Sequence, residues 1–190
     1  MMTRALLMST ALMLGGCAAS IPPVQVTRFH LSGPIAPGTV ALDAGIMSLE
    51  ASTYRAAVTR ELARLGFNDT TGDASRYQAS VGIETETRAA APKRSPVSIG
   101  IGGGTGGYGG GVGAGVSFGL GGNKNSQIVA TRLSVQLRER SGKGVVWEGR
   151  AETEAPSNAP ASQPGLAADK LAKALFKDFP GESGRTISVP

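Results

Sequence analysis

The 190-residue chain carries a formal net charge of +5, 41% hydrophobic residues and a single cysteine. Its length suits one domain with a real core. Its Arg and Lys side chains are scattered, without the basic run of about five to eight residues that marks a nucleic-acid partner, and one cysteine excludes a disulfide framework.

Met1-Met2-Thr3-Arg4 supplies a positive start, Ala5 to Met13 is a short apolar run, and Leu14-Gly15-Gly16-Cys17 sets small residues directly before the cysteine. The run falls well short of the roughly 20 apolar residues that span a bilayer, so it reads as a targeting segment. It resembles a bacterial lipoprotein signal peptide, residues 1–16, ending in a lipobox at Cys17. The resemblance implies cleavage between Gly16 and Cys17, a diacylglycerol on the Cys17 sulfur, and acylation of the new amine, as by palmitate. Two or more acyl chains anchor stably where one holds only marginally. An ordinary secretory signal with an incidental cysteine is the alternative. Lipidation would leave the mature, mildly basic chain without a thiol for nucleophilic or metal chemistry. Ala18 stands where an Asp retains enterobacterial lipoproteins in the inner membrane, so the same resemblance favours the outer membrane.

Residues 17–23 read as a lipidated tether, since Pro22 and Pro23 bias the chain toward extended backbone. Val24 to Leu31 is β-branched and aromatic, as a strand requires, and Thr39 to Leu42 is a second short strand. Leu49 to Leu65 repeats Tyr54, Val58, Leu62 and Leu65 at helical spacing, with Gly66 as C-cap and Phe67 folding back. Tyr77 to Thr87 alternates, with Tyr77, Ala79, Val81, Ile83 and Thr85 on one face and Glu84 and Glu86 on the other. Gln127 to Glu139 alternates again, with Val129, Thr131, Leu133, Val135 and Leu137 inward and Arg132 and Arg138 outward. A turn at 141–144 leads into Val145 to Thr153, with Val145, Trp147 and Ala151 on one side, which makes the clearest hairpin in the chain. Leu166 to Phe179 is a final helix striped by Leu171, Leu175 and Phe179. Ser162 is its candidate cap, and Pro180-Gly181 stops it. Residues 181–190 read as a tail.

Half of the chain's 28 glycines fall between 100 and 122. Within 97–122, Val97, Ile99 and Ile101, and then Val112, Ala114, Val116, Phe118 and Leu120, alternate with small residues. The pattern suggests a glycine-faced ribbon, weakly specified in register. It reads either as a surface hairpin or as a flat face that packs on a partner. Its GxGxxG matches, Gly102-Gly104-Gly107 and Gly104-Gly106-Gly109, lack a following helix to hold a pyrophosphate, so no nucleotide is expected.

Chemistry-bearing clusters are sparse. His30 is the single histidine, and no carboxylate spacing ties a partner to it, so it reads as structural or solvated. Glu84 and Glu86 share a strand face and read as solvent-facing charge ahead of a catalytic pair. Trp147 reads as a core anchor, with ligand stacking as the alternative. No cofactor, metal site or catalytic residue is expected.

The order of elements carries a family resemblance. Val26-Thr27-Arg28-Phe29 is followed by Glu61-Leu62-Ala63-Arg64-Leu65-Gly66-Phe67, a strand from Tyr77 and the glycine-rich ribbon. Leu133-Ser134-Val135-Gln136-Leu137, Val145-Val146-Trp147-Glu148-Gly149-Arg150-Ala151 and Leu171 to Phe179-Pro180 complete the series. This resembles the bacterial lipoprotein family known as domain of unknown function 4136, over residues 24–180. That family implies no activity or site residues.

The expected fold is α+β: a two-layer sandwich with a mostly antiparallel sheet, two helices on one face and a glycine-rich hairpin insertion. The expected function is non-enzymatic: an outer-membrane lipoprotein domain, facing the periplasm, with structural, assembly or protein-contact duties. Its partners would be the membrane, through Cys17, and envelope proteins, with no nucleic acid. The alternative, a lipoprotein holding a small hydrophobic ligand between sheet and helices, calls for a deep apolar pocket near Trp147.

Overall fold

The computed structural model describes residues 22–43, 45, 48–72, 74–90, 127–142 and 144–190. Gly16, Cys17 and the 97–122 ribbon lie outside the described residues. Seven strands form one sheet: β1 (Val24–His30), β2 (Thr39–Leu42), β3 (Asn68–Asp69), β4 (Tyr77–Ala89), β5 (Gln127–Glu139), β6 (Gly144–Pro156) and β7 (Thr186–Val189). The order across the sheet is β3-β2-β4-β5-β6-β1-β7. Only β2 pairs in parallel, with β3 and β4; the other ladders are antiparallel. Helices α1 (Leu49–Arg64) and α2 (Pro164–Phe176) complete the α+β sandwich.

Alternation decides which face is buried. Tyr77 and Ala79 of β4, Leu133, Val135 and Leu137 of β5, Trp147 and Ala151 of β6, and Val24 and Val26 of β1 are buried. They meet Tyr54, Ala57, Val58 and Leu62 of α1 and Ala168, Leu171, Ala172, Leu175 and Phe176 of α2 in one core. Apolar residues at i, i+3 and i+4 give each helix the stripe that packs on a sheet.

Local chemistry sets the helix ends. The Ser48 hydroxyl accepts from the Ala51 N–H at 3.0 Å and caps α1. At its C-terminus the Phe67 N–H donates to the Leu62 carbonyl and the Gly66 N–H to the Ala63 carbonyl. That double closure needs the left-handed backbone of Gly66, at φ +87°.

Four details differ from expectation. The 181–190 segment is no tail: Thr186–Val189 forms edge strand β7 on β1, with Val24 opposite Val189. Two polar links, Thr27 to Thr186 at 2.7 Å and Gln25 to Ser188 at 3.3 Å, fasten it. Ser162 does not cap α2; its hydroxyl donates to the Ala159 and Ser157 carbonyls in the preceding 3-10 turn, and Gln163 opens the helix without a side-chain cap. α2 ends at Phe176 rather than Phe179, because the chain turns through Asp178 at φ +55° and Phe179 folds back onto the core. Finally, the β5–β6 register shifts between Leu137 and Arg138, and this irregularity buries Val146 beside Trp147 in place of Val145.

Candidate functional site: the open sheet face

The helices cover one face of the sheet, and the other is open and polar. Ladder register aligns its side chains in rows. One row reads Glu84, Arg132, Glu152, Gln25 and Ser188, and the next Gly82, Ser134, Arg150, Thr27 and Thr186. Arg132 stands between two carboxylates: its Nη1 donates to Glu84 at 2.7 Å and its Nε to Glu152. Glu152 and then Glu84 hold its guanidinium charged, pushing its pKa up. Arg88 pairs with Glu154 at 2.5 Å, and Arg150 and Gln136 both reach Glu148. Glu84 is therefore bound to Arg132 rather than facing Glu86 as an acid–base pair.

Two shallow depressions lie on this face. One, of about 120 Å³, is lined by Glu84, Glu86, Arg132, Glu152 and Glu154 among others. A wider groove, of about 340 Å³, runs past Thr27, Phe29, Glu148 and Arg150. Phe29 is 53% exposed there, an apolar ring in a polar frame.

Trp147 lies on the covered face, with no exposed surface. Its ring stacks on Phe176 at 5.3 Å and meets Phe179 at 5.3 Å, and its Nε1–H donates to the Pro180 carbonyl at 3.0 Å. Gly149 explains its place in the Val-Val-Trp-x-Gly-x-Ala stretch. A Cβ there would lie 2.4 Å from the indole and 2.7 Å from a Leu175 methyl. The indole lies across the bare backbone of Gly149, and protein atoms fill the space where a ligand would stack.

His30 has Nδ1 3.0 Å from the Leu31 carbonyl oxygen and Nε2 3.1 Å from that of Gly181, so both ring nitrogens face backbone. Among the described residues no three His, Cys, Asp or Glu side chains cluster as metal ligands would. Arg138 lies in register with Gln78 of β4, near the C-terminal end of β5, whereas Arg132 sits mid-strand.

Sequence reading overlooked Arg28. Its side chain is 3% exposed, and its Nε and Nη2 donate to the Leu175 and Ala174 carbonyls, both at 2.8 Å. It thereby caps the C-terminus of α2, where a positive charge is favoured. Burial lowers its pKa, while Asp178 opposes the shift. Gly181, at φ +83°, passes so close that a Cβ would lie 2.6 Å from the Arg28 guanidinium. The period-2 signal was present, since Val24, Val26 and Arg28 share the inward face of β1, but the carbonyls that Arg28 meets lie some 150 residues away in the chain.

Residues 27–181 match the family model described as Domain of unknown function (DUF4136). A relative from Zymomonas mobilis, described as an uncharacterized protein, is 35% identical over an alignment covering 90% of this chain and 84% of the relative. Among solved structures, PelC from Paraburkholderia phytofirmans, described as a dodecamer, has a TM-score of 0.44 at 14% identity, covering 78% of this chain and 92% of that one. A minor lipoprotein from Acinetobacter baumannii has a TM-score of 0.42 at 10% identity, covering 74% of this chain and 91% of that one.

Proposed function

The chain belongs to the family described as Domain of unknown function (DUF4136), and on that footing we propose that it is an outer-membrane lipoprotein, anchored through Cys17. Its domain faces the periplasm and has a non-enzymatic structural, assembly or protein-contact role. The observation that carries the protein-contact reading is the open sheet face. Arg132 joins Glu84 and Glu152 in register across β4, β5 and β6, and Arg88 of β4 reaches diagonally to Glu154 of β6. Exposed pairs contribute only about 0–1 kcal/mol each to folding, so stability alone is a weak reason for so ordered a surface. Fixed alternating charge around an exposed Phe29 instead suits selection of a complementary protein surface. The packing around Trp147 speaks against the alternative of a ligand held between the layers.

Fractionation with site-specific photocrosslinking tests this. Wild-type protein should sediment with outer membranes, and Cys17→Ser should be released or remain unprocessed. A photoreactive residue at Phe29 should yield a discrete adduct with an envelope protein, whereas one at the helix-face residue Ala56 should not. A processed Cys17→Ser protein that sediments like wild type removes the anchor. Absence of any Phe29 adduct in membrane-anchored protein removes the contact role.

A further inference from the structure

The point where the chain enters the domain and two of its exposed leucines lie at the same end of the fold. β1 starts there, with the Pro23 carbonyl 3.5 Å from the Thr153 hydroxyl near the end of β6. Lys170 Nζ of α2 donates to the Pro22 carbonyl. β4 and β5 meet at this end through Ala89 opposite Gln127, and the Ser157 N–H donates to the Gln127 carbonyl just before α2 begins. α1 begins here too, since Glu50 in its first turn lies 3.5 Å from Thr85. Leu49 opens α1 at 89% exposure, and Leu166 lies in the first turn of α2 at 53%. Leu166 lines a groove of about 560 Å³ with Thr53 and Ser52, one turn beyond Leu49. The opposite end carries Leu31, whose N–H bonds the Val146 carbonyl, and the turn after β5.

Five Cα-to-Cα steps lead from Cys17 to Pro22 and reach at most about 18 Å. A 13-residue strand such as β5 spans about 43 Å. A lipid on Cys17 therefore keeps the β1-start end near the bilayer surface, and the Leu31 end has no such constraint. We propose that the end bearing Leu49 and Leu166 is a lipid-docking surface, with both leucines seated at the headgroup–acyl boundary and the Leu31 end pointing away. The proposal rests on the anchor reading above. The tether is what selects this leucine pair for lipid over Phe29 and Leu31, which are also exposed.

Once the Cys17 sulfur is lipidated, an introduced cysteine is the only free thiol. Leu49→Cys, Leu166→Cys and Leu31→Cys, each carrying an environment-sensitive nitrobenzoxadiazole label, are reconstituted in phosphatidylethanolamine–phosphatidylglycerol vesicles with brominated lipid. All three positions are exposed, so folding should persist, and thermal unfolding of each variant checks it. Quenching at 49 and 166 should exceed that at 31 several-fold. Equal or stronger quenching at 31, or none at any position in protein that floats with vesicles, overturns the docking surface and leaves the anchor standing. A blue shift at 49 that follows protein density and ignores brominated lipid assigns the patch to a second copy and also overturns it. Protein that does not float removes the anchor itself, and the docking surface with it.

Discussion

Gly149 and Trp147 form one unit at the residue scale. Trp147→Ala should destabilise the domain by about 3–5 kcal/mol through core truncation; an unchanged denaturant midpoint would place the ring outside the core. Gly149→Ala removes nothing, yet it should cost about 1–3 kcal/mol by overpacking, because its Cβ would enter the space of the indole and Leu175. Tyr54 makes a pH prediction. Burial, then the Glu50 carboxylate, push its phenol up to about 12, against a hydrogen bond with Thr131. A raised pKa means that the folded state holds the proton more tightly. This contribution is complete below about pH 10, where unfolded tyrosine ionises, and is lost as pH rises through 12. Burial of Tyr77 acts in the same direction. Midpoints at pH 9 and pH 11.5 should therefore differ less in Tyr54→Phe than in wild type. Trp147 was legible as core because alternation along a strand is local information. Arg28 was not, because its carbonyl partners lie on α2, and Gly149 was not, because the placement of the Trp147 ring over it and of Leu175 beside it is set only in the fold.

At the scale of elements, β7 inverts the usual expectation about chain ends. Thr186–Val189 is four residues long, too short for periodicity to distinguish it from a loose terminus. What makes it a strand is the edge of β1 beside it. A chain ending at Gly184 should unfold at lower denaturant than wild type, since it loses the β1 ladder and the burial of Val189; equal midpoints would return the segment to a tail. Deleting 102–111 should leave the unfolding transition in place, because the β4–β5 ladder is complete from Tyr77–Glu139 to Ala89–Gln127 without it and a change in loop length costs only about 0.6 kcal/mol per doubling. Strands β1, β2, β4, β5 and β6 and both helices were readable from apolar spacing. Strand β3, with two residues, carries no pattern at all. The exact end of α2 was hidden because Arg28, outside the helix, satisfies its terminal carbonyls.

For the whole molecule, one sheet face supplies the core, the other a charged surface, and β1 begins at the end where both helices start. The α+β sandwich follows from alternation and helical stripes. The row structure of the open face depends on register, which pairs Arg132 with both Glu84 and Glu152 and which no single strand reveals. Anchorage is the claim on which the biological reading depends. The most direct measurement is intact-mass and N-terminal peptide mass spectrometry of protein extracted from outer membranes. A mature chain beginning at Cys17 that carries the mass of a diacylglyceryl group and an amide-linked acyl chain is the expected result. A chain that retains Gly16, or one whose Cys17 bears a free thiol, would contradict it.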